Sequence, residues 1–184
     1  MAFIDHTLET APPAARRAMK AVADRSGYLP AAVARLAESP QLLDGFLRMS
    51  ALFETASLEP VAREVVIMTM ATRNACNVCV AMHTAKLHAL GAEAGLIAAL
   101  RESRPLDDAR LEALRRFTLE VLAASGAVSD AAMDDFLGHG YTRQNALEVV
   151  LGIGAYTMST LANRMTDAPV DEPLKPFAWE GAAA

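Results

Sequence analysis

Cysteines, aromatic residues and long apolar runs are scarce in this chain of 184 residues. Only two cysteines are present, which excludes a framework of several disulfides, and a chain of this length can bury a sizeable core without them. Aromatic residues make up only 5% of the sequence, and no stretch shows sustained alternation of apolar and polar residues. Both absences disfavour β-sheet.

Basic clusters are also missing. The net charge is −5, and without a basic stripe the sequence argues against nucleic acid as a partner. No apolar run approaches the roughly 18 residues of a transmembrane helix, so we expect no membrane partner either. The first residues, MAFIDHTLET, include Asp5 and Glu9 but no basic flank, unlike a signal peptide. These features favour a cytoplasmic location.

Apolar residues are abundant instead. They make up 53% of the chain, mainly as alanine, leucine, valine and methionine, and the mean hydropathy is +0.20. This composition favours helices, so the sequence predicts a single all-α domain over residues 1–184. An apolar excess without membrane spans also favours burial of surface between subunits, and we therefore expect a homo-oligomer.

Proline, glycine and capping residues divide the chain into predicted helices. Asn74 is the predicted cap of the helix that contains the cysteines, and the last 18 residues, with three prolines, are predicted to form an extended arm. The helical core thus covers 12–166 and the C-terminal arm 167–184. The predicted helices span 12–27, 30–39, 40–54, 60–72, 76–91, 92–103, 107–124, 129–137 and 142–164.

The two cysteines lie close together, in the stretch CNVCVAMH. On a helix, Cys76, Cys79 and His83 share one face, because their spacings are i, i+3 and i, i+4. Cys76 would lie in the first turn, where free N–H groups and the helix dipole stabilise a thiolate. His83 would be close enough to Cys79 to exchange its proton. The motif therefore suits a redox dithiol with an adjacent base.

Two other interpretations of the motif remain open. The cysteines could be small residues packed in a core, or they could belong to a zinc site. Zinc usually takes about four ligands, whereas this motif offers three. The other histidines are His6, His88 and His139, there is no second cysteine pair, and no fourth ligand is evident. We therefore expect neither a metal nor another cofactor.

Glu64 is a further candidate. It lies on an apolar stripe with Met68 and Ala71, where a carboxylate is unfavourable unless it is paired or hydrogen-bonded. The alternative is a solvated glutamate that benefits from the positive end of the helix dipole.

Glu64, Cys76, Cys79 and His83 follow the pattern E-x11-C-x-x-C-x-x-x-H. This resembles the signature of the AhpD-like alkylhydroperoxidases of the carboxymuconolactone decarboxylase superfamily, and the resemblance extends more loosely over 40–165. It implies an AhpD-like helical fold, assembly as a trimer or hexamer, and a thiol peroxidase whose disulfide is reduced by a dithiol partner. The four matching residues would form its proton-relay site.

One position departs from the family pattern. AhpD proteins have a histidine immediately before the second cysteine, where this chain has Val78. Either peroxidase turnover is therefore weaker, or the physiological substrate differs. Decarboxylation is disfavoured, because the decarboxylases of the superfamily lack the cysteine pair.

The resulting hypothesis is a peroxidase in which Cys79 attacks the peroxide, His83 is the base and Glu64 completes the relay. The sulfenic acid on Cys79 would be resolved to a disulfide by Cys76. The order of attack stays open, because the helix terminus favours Cys76 as the thiol of lower pKa. The alternative function is a non-enzymatic redox sensor or adaptor protein, in which the pair switches an interface.

Overall fold

The computed structural model describes residues 3–181, and over that range it consists of helices without a strand. The predicted all-α fold is confirmed, and the predicted helix ends agree with the observed ones to within three residues. The α-helices are α1 (Pro13–Ser26), α2 (Ala31–Leu36), α3 (Pro40–Glu54), α4 (Pro60–Arg73), α5 (Asn77–Ala89), α6 (Ala94–Arg101), α7 (Ala109–Ala123), α8 (Asp130–Gly138) and α9 (Arg143–Met165).

The junction between α4 and α5 differs from the prediction. Cys76, rather than Asn74, occupies the N-cap position of α5. Asn74 ends α4, and its side-chain amide donates to Thr160 Oγ1 on α9 at 2.8 Å. Ala75 between them has a positive φ of 49°, which turns the chain sharply enough to bring the cysteines back against α4.

Helix α4 forms the centre of the main hydrophobic core. Its residues from Val65 to Met68 are fully buried, because α4 packs against α5, α7 and α9. A second core cluster forms where α1, α2 and the first half of α3 meet around Met19 and Leu43. The space between these two clusters contains the cavity described below.

The sequence predicted an extended arm over 167–184. The segment after α9 is instead partly helical. Residues Glu172–Phe177 form a short 3₁₀ helix that packs against α5 of the same chain. Trp179 is buried and donates its indole N–H to the carbonyl of Arg101 at 3.0 Å. Apolar anchors therefore hold this segment in place, whereas positions 182–184 of the predicted arm, like 1–2 of the predicted domain, lie outside the described residues.

Among the described residues, no helix combines the length and the apolar character needed to cross a membrane.

The crossing of α9 over α3 and α4 depends on Gly152. A Cβ at this position would lie 2.7 Å from Phe53 Cζ and 3.1 Å from Val66 Cγ1. We predict that Gly152→Ala lowers the free energy of unfolding by about 1–3 kcal/mol, because it overpacks the core. Thermal and urea unfolding followed by circular dichroism will measure this loss.

Gly45→Ala is the matched control. Gly45 is also inside a helix, but a Cβ there meets no heavy atom within 4 Å. The better helix propensity of alanine should make this variant more stable by up to about 1 kcal/mol. Equal stability changes in both variants would contradict the overpacking argument.

Candidate functional site

The two cysteines face each other at the start of α5. Their Sγ atoms lie 2.7 Å apart in a hydrogen bond between free thiols, and both side chains are buried. A disulfide bond is about 2.05 Å long, so a small movement would bring the sulfur atoms to bonding distance. The structure therefore brings the predicted pair together in a geometry that suits reversible oxidation.

The two thiols differ in acidity. The hydrogen bond with the Cys79 thiol lowers the pKa of Cys76, although burial opposes this effect. The same contact and burial raise the pKa of Cys79 well above its usual range. Cys76, at the helix N-terminus, is thus the more acidic thiol of the pair.

Two polar side chains of α9 surround the sulfur of Cys79. Asn163 Nδ2 donates to Cys79 Sγ at 3.3 Å, and Ser159 Oγ lies 3.9 Å from the same atom. Both contacts favour a thiolate at Cys79. The buried Oδ1 of Asn163 has no hydrogen-bond partner among the described residues, so it is free to accept a hydrogen bond from a ligand.

Glu64 and His83 form a buried pair. The carboxylate of Glu64 is 0% exposed, and its Oε2 lies 2.7 Å from His83 Nδ1. An ionised carboxylate can only accept a hydrogen bond, so Nδ1 carries the proton and Nε2 of a neutral His83 is left as a base. The ring of Tyr156 packs edge-on against the imidazole at 5.3 Å between centroids and restricts its orientation.

Lys86 completes the charge balance around Glu64. Its Nζ lies 3.0 Å from Glu64 Oε1, and it also forms a salt bridge with Glu54 at the surface. Burial raises the pKa of Glu64, but His83 and Lys86 together outweigh burial and hold the pKa below its usual value. Glu64 is thus an ionised, paired carboxylate, and the solvated alternative is wrong.

A cavity of about 780 Å³ opens beside these residues, between the two core clusters. Side chains from α1, α2, α3, α5 and α9 form its walls, which are largely apolar. Cys79 and His83 line it, whereas Cys76 does not. Cys79 therefore borders a space far larger than hydrogen peroxide needs.

The position before Cys79 contributes no polar group. Val78 is buried in the main apolar cluster, so it cannot replace the histidine of the family pattern. Among the described residues, no group of three or more His, Cys, Asp or Glu side chains is arranged to hold a metal ion. The expectation that the protein binds no metal stays a prediction.

Sequence reasoning missed Lys86, Tyr156, Ser159 and Asn163. Lys86 lies three residues after His83, and the i, i+3 spacing on α5 could have revealed it. Ser159 and Asn163 are polar residues four apart on α9, so they lie on the same face of that helix. Nothing in the sequence, however, indicates that this face of α9 lies against the cysteines.

The fold and the paired cysteines together define an AhpD-like, all-helical thiol protein. Residues 40–120 match the model of the Carboxymuconolactone decarboxylase family. This match and the solved structures described next confirm the resemblance to AhpD-like proteins of that superfamily noted in the sequence.

Solved structures share this fold at low sequence identity. A peroxidase-related protein from Ralstonia eutropha JMP134, with an alkylhydroperoxidase AhpD core, matches at a TM-score of 0.81 and 21% identity, over 94% of this chain and 93% of the other. A peroxidase-related protein from Silicibacter sp. TM1040 matches at 0.77 and 18% identity, with the same coverage.

The debrominase Bmp8, in complex with 2,3,4-tribromopyrrole, matches at a TM-score of 0.69 and 13% identity, over 90% of this chain and 89% of the other. At these identities the likeness shows the fold alone. No curated protein matches the chain by sequence.

Asn163 gives a test of the electrostatics at the thiols. We predict that Asn163→Leu raises the pKa of the Cys79 thiol further, because it removes from a buried site a hydrogen-bond donor to the Cys79 sulfur. Alkylation of the reduced protein by iodoacetamide across pH will measure this shift. Asn74→Leu is the control, because the Asn74 amide binds α9 without contacting a thiol. A similar pKa in both variants and the wild type would show that Asn163 is only a packing residue.

Proposed function

We propose that the protein is a thiol-dependent peroxidase or disulfide reductase that reduces peroxides through the Cys76–Cys79 dithiol. The observation that carries this proposal is the position of Cys79, which faces a cavity while it contacts a second thiol at 2.7 Å. A thiol pair that only packs a core has no need of either feature. The buried pair of Glu64 and His83, in which His83 is the candidate base, lies beside the same cavity and gives further support.

The proposed reaction starts at Cys79, because this is the cysteine that lines the cavity. One proton of the dithiol passes to His83 and the other is held by Cys76, and Asn163 and Ser159 stabilise the resulting Cys79 thiolate. This thiolate attacks the terminal oxygen of the peroxide ROOH, the O–O bond breaks, and protonation of the leaving oxygen gives ROH and a sulfenic acid on Cys79.

Cys76 then attacks the sulfenic acid, which forms the Cys76–Cys79 disulfide and releases water. A dithiol reductant, either a small molecule or a protein, restores both thiols and leaves with its own disulfide. The overall change is one peroxide reduced to an alcohol and water for each dithiol oxidised. No other cofactor is needed for this balance.

His83 is the proposed proton carrier. Its free Nε2 accepts a proton during thiol activation and returns it to the leaving oxygen. Glu64 fixes the tautomer and stabilises the charged imidazole, and Lys86 keeps Glu64 ionised. Because Val78 supplies no second histidine, the whole relay in this proposal depends on His83.

Reductive dehalogenation is a second candidate. It is favoured by the apolar cavity at Cys79 and by the shared fold with a debrominase. A dithiol can replace a C–Br bond by C–H, with release of HBr and formation of the disulfide. Turnover of 2,3,4-tribromopyrrole, in place of a peroxide, would favour this candidate.

We further propose a cytoplasmic homo-oligomer, either a trimer or a hexamer. Helix α9 exposes large apolar residues along its length, namely Leu147, Val150, Leu161 and Met165, and a subunit interface would cover them. A reducing cytoplasm would keep the dithiol ready to react.

The first test measures steady-state peroxide consumption with dithiothreitol as the reductant. We expect turnover above the uncatalysed rate by the wild type, none by Cys79→Ser, and slower turnover by Cys76→Ser, because only dithiothreitol itself can reduce its sulfenic acid. Cys76→Ser should still form a sulfenic acid on Cys79, which dimedone traps for mass spectrometry. If a sulfenic acid forms only in the Cys79→Ser variant, then Cys76 is the attacking cysteine and Cys79 the resolving one. A disulfide that forms without any turnover would favour the redox-sensor alternative.

The relay predicts non-additive effects of His83 and Glu64. His83→Phe should slow thiol oxidation by about 10²–10⁴-fold, the usual contribution of a general base. Glu64→Gln should also slow it, and the double variant should be little worse than the worse single variant, because the two residues act as a unit. Stopped-flow oxidation across pH will measure these rates, with circular dichroism to check folding. If the rate losses of the two single variants multiply in the double variant, His83 and Glu64 act independently. A His83→Phe variant with the rate of the wild type would refute the relay.

A further inference from the structure

Helix α1 forms one wall of the cavity that contains Cys79, and this wall has a mixed character. Ala18, Ala21 and Val22 give it an apolar centre, and the exposed residues Arg17 and Arg25 also line the cavity. The two arginines are eight residues apart, which corresponds to about 12 Å along a helix. The wall thus presents apolar surface flanked by two guanidinium groups.

The acidic residues that line the same cavity already have basic partners. Asp44 forms a salt bridge with Arg48 at 2.8 Å, within α3. Glu54 forms salt bridges with Lys86 and with Arg63. Their negative charges are therefore largely balanced by the protein itself.

The two arginines of α1 form no salt bridge with an acidic residue within residues 3–181. Within residues 3–181, the salt bridge of α1 joins Lys20 to Asp24, and none involves Arg17 or Arg25. The chain as a whole has a net charge of −5, so it does not attract anions in general. Two unpaired guanidinium groups beside an apolar cavity are consequently a local feature that complements an anionic group on an apolar molecule.

We infer that the substrate is an anionic amphiphile, namely an organic hydroperoxide with an apolar body and a carboxylate. Its body lies in the cavity with the peroxide group at Cys79, and its carboxylate pairs with Arg17 or Arg25. The reaction converts the hydroperoxide to an alcohol and leaves the carboxylate unchanged. This inference rests on the proposed peroxidase function and names the class of substrate for the same site.

The test compares two hydroperoxides that differ only in charge, those of linoleic acid and of methyl linoleate, below their micellar concentrations. With dithiothreitol as the reductant, we expect kcat/KM for the free acid to exceed that for the ester by about tenfold, as one charge-assisted hydrogen bond would give. The preference should weaken with added salt. Equal kcat/KM values for acid and ester would overturn the inference while leaving the peroxidase function intact.

The arginines are tested by Arg17→Gln, Arg25→Gln and the double variant. We expect the acid-to-ester ratio of the double variant to fall towards one. Lys20→Gln, which removes a positive charge from the same helix outside the cavity, should keep the ratio of the wild type. A double variant that retains the full preference for the acid would show that these arginines do not bind the carboxylate, and the inference would fall.

A binding experiment separates this inference from the proposed function. Calorimetry with decanoate and decanol needs no turnover, and we expect decanoate to bind about tenfold more tightly to the wild type and no more tightly to the double variant. If no peroxide is consumed but decanoate shows this pattern, the proposed function fails and the anion-binding cavity stands. If decanol binds as well as decanoate, the cavity does not select an anionic group, whatever the enzyme activity.

Discussion

The site depends on the buried carboxylate of Glu64. An ionised group in the centre of the main core would be strongly destabilising alone, and it is tolerated here because His83 and Lys86 each contact one of its oxygens. The two partners belong to the same face of α5, so the pairing of Glu64 also fixes how α5 lies on α4. The same contacts that hold the helices together therefore orient the imidazole towards the cavity.

The cysteine pair adds a second constraint at the other end of this face. The turn at Ala75 places Cys76 at the N-cap of α5, and the hydrogen bond with the Cys79 thiol lowers the pKa of Cys76 there. The cysteine of lower pKa is thus not the cysteine that lines the cavity. In the proposed mechanism, a proton moves over the 2.7 Å between the two sulfur atoms, from Cys79 to Cys76. The negative charge then lies on the cysteine that lines the cavity.

Local patterns predicted much of this arrangement. Apolar periodicity, prolines and caps were sufficient for the helices. The spacing of Glu64, Cys76, Cys79 and His83 was sufficient for the contact between the two cysteines and for the resemblance to the family, whereas the expected proton exchange between His83 and Cys79 stays a prediction. Asn163 and Ser159 could not be placed, because their role depends on how α9 packs across α4 and α5. The cap at Asn74 was wrongly predicted because its amide binds Thr160, a partner 86 residues away.

The family match covers residues 40–120, and so it includes Glu64, both cysteines, His83 and Lys86. Helices α1 and α2 precede that range, and α9 follows it. The groups that would perform the redox chemistry thus come from the matched segment, whereas α1, α2 and α9 contribute much of the cavity wall and the polar residues around Cys79. Changes in these flanking helices can alter the shape and charge of the cavity without disturbing the Glu64–His83 pair. A common relay is therefore physically compatible with different substrates, and in this chain the arginines of α1 are where such a difference would be encoded.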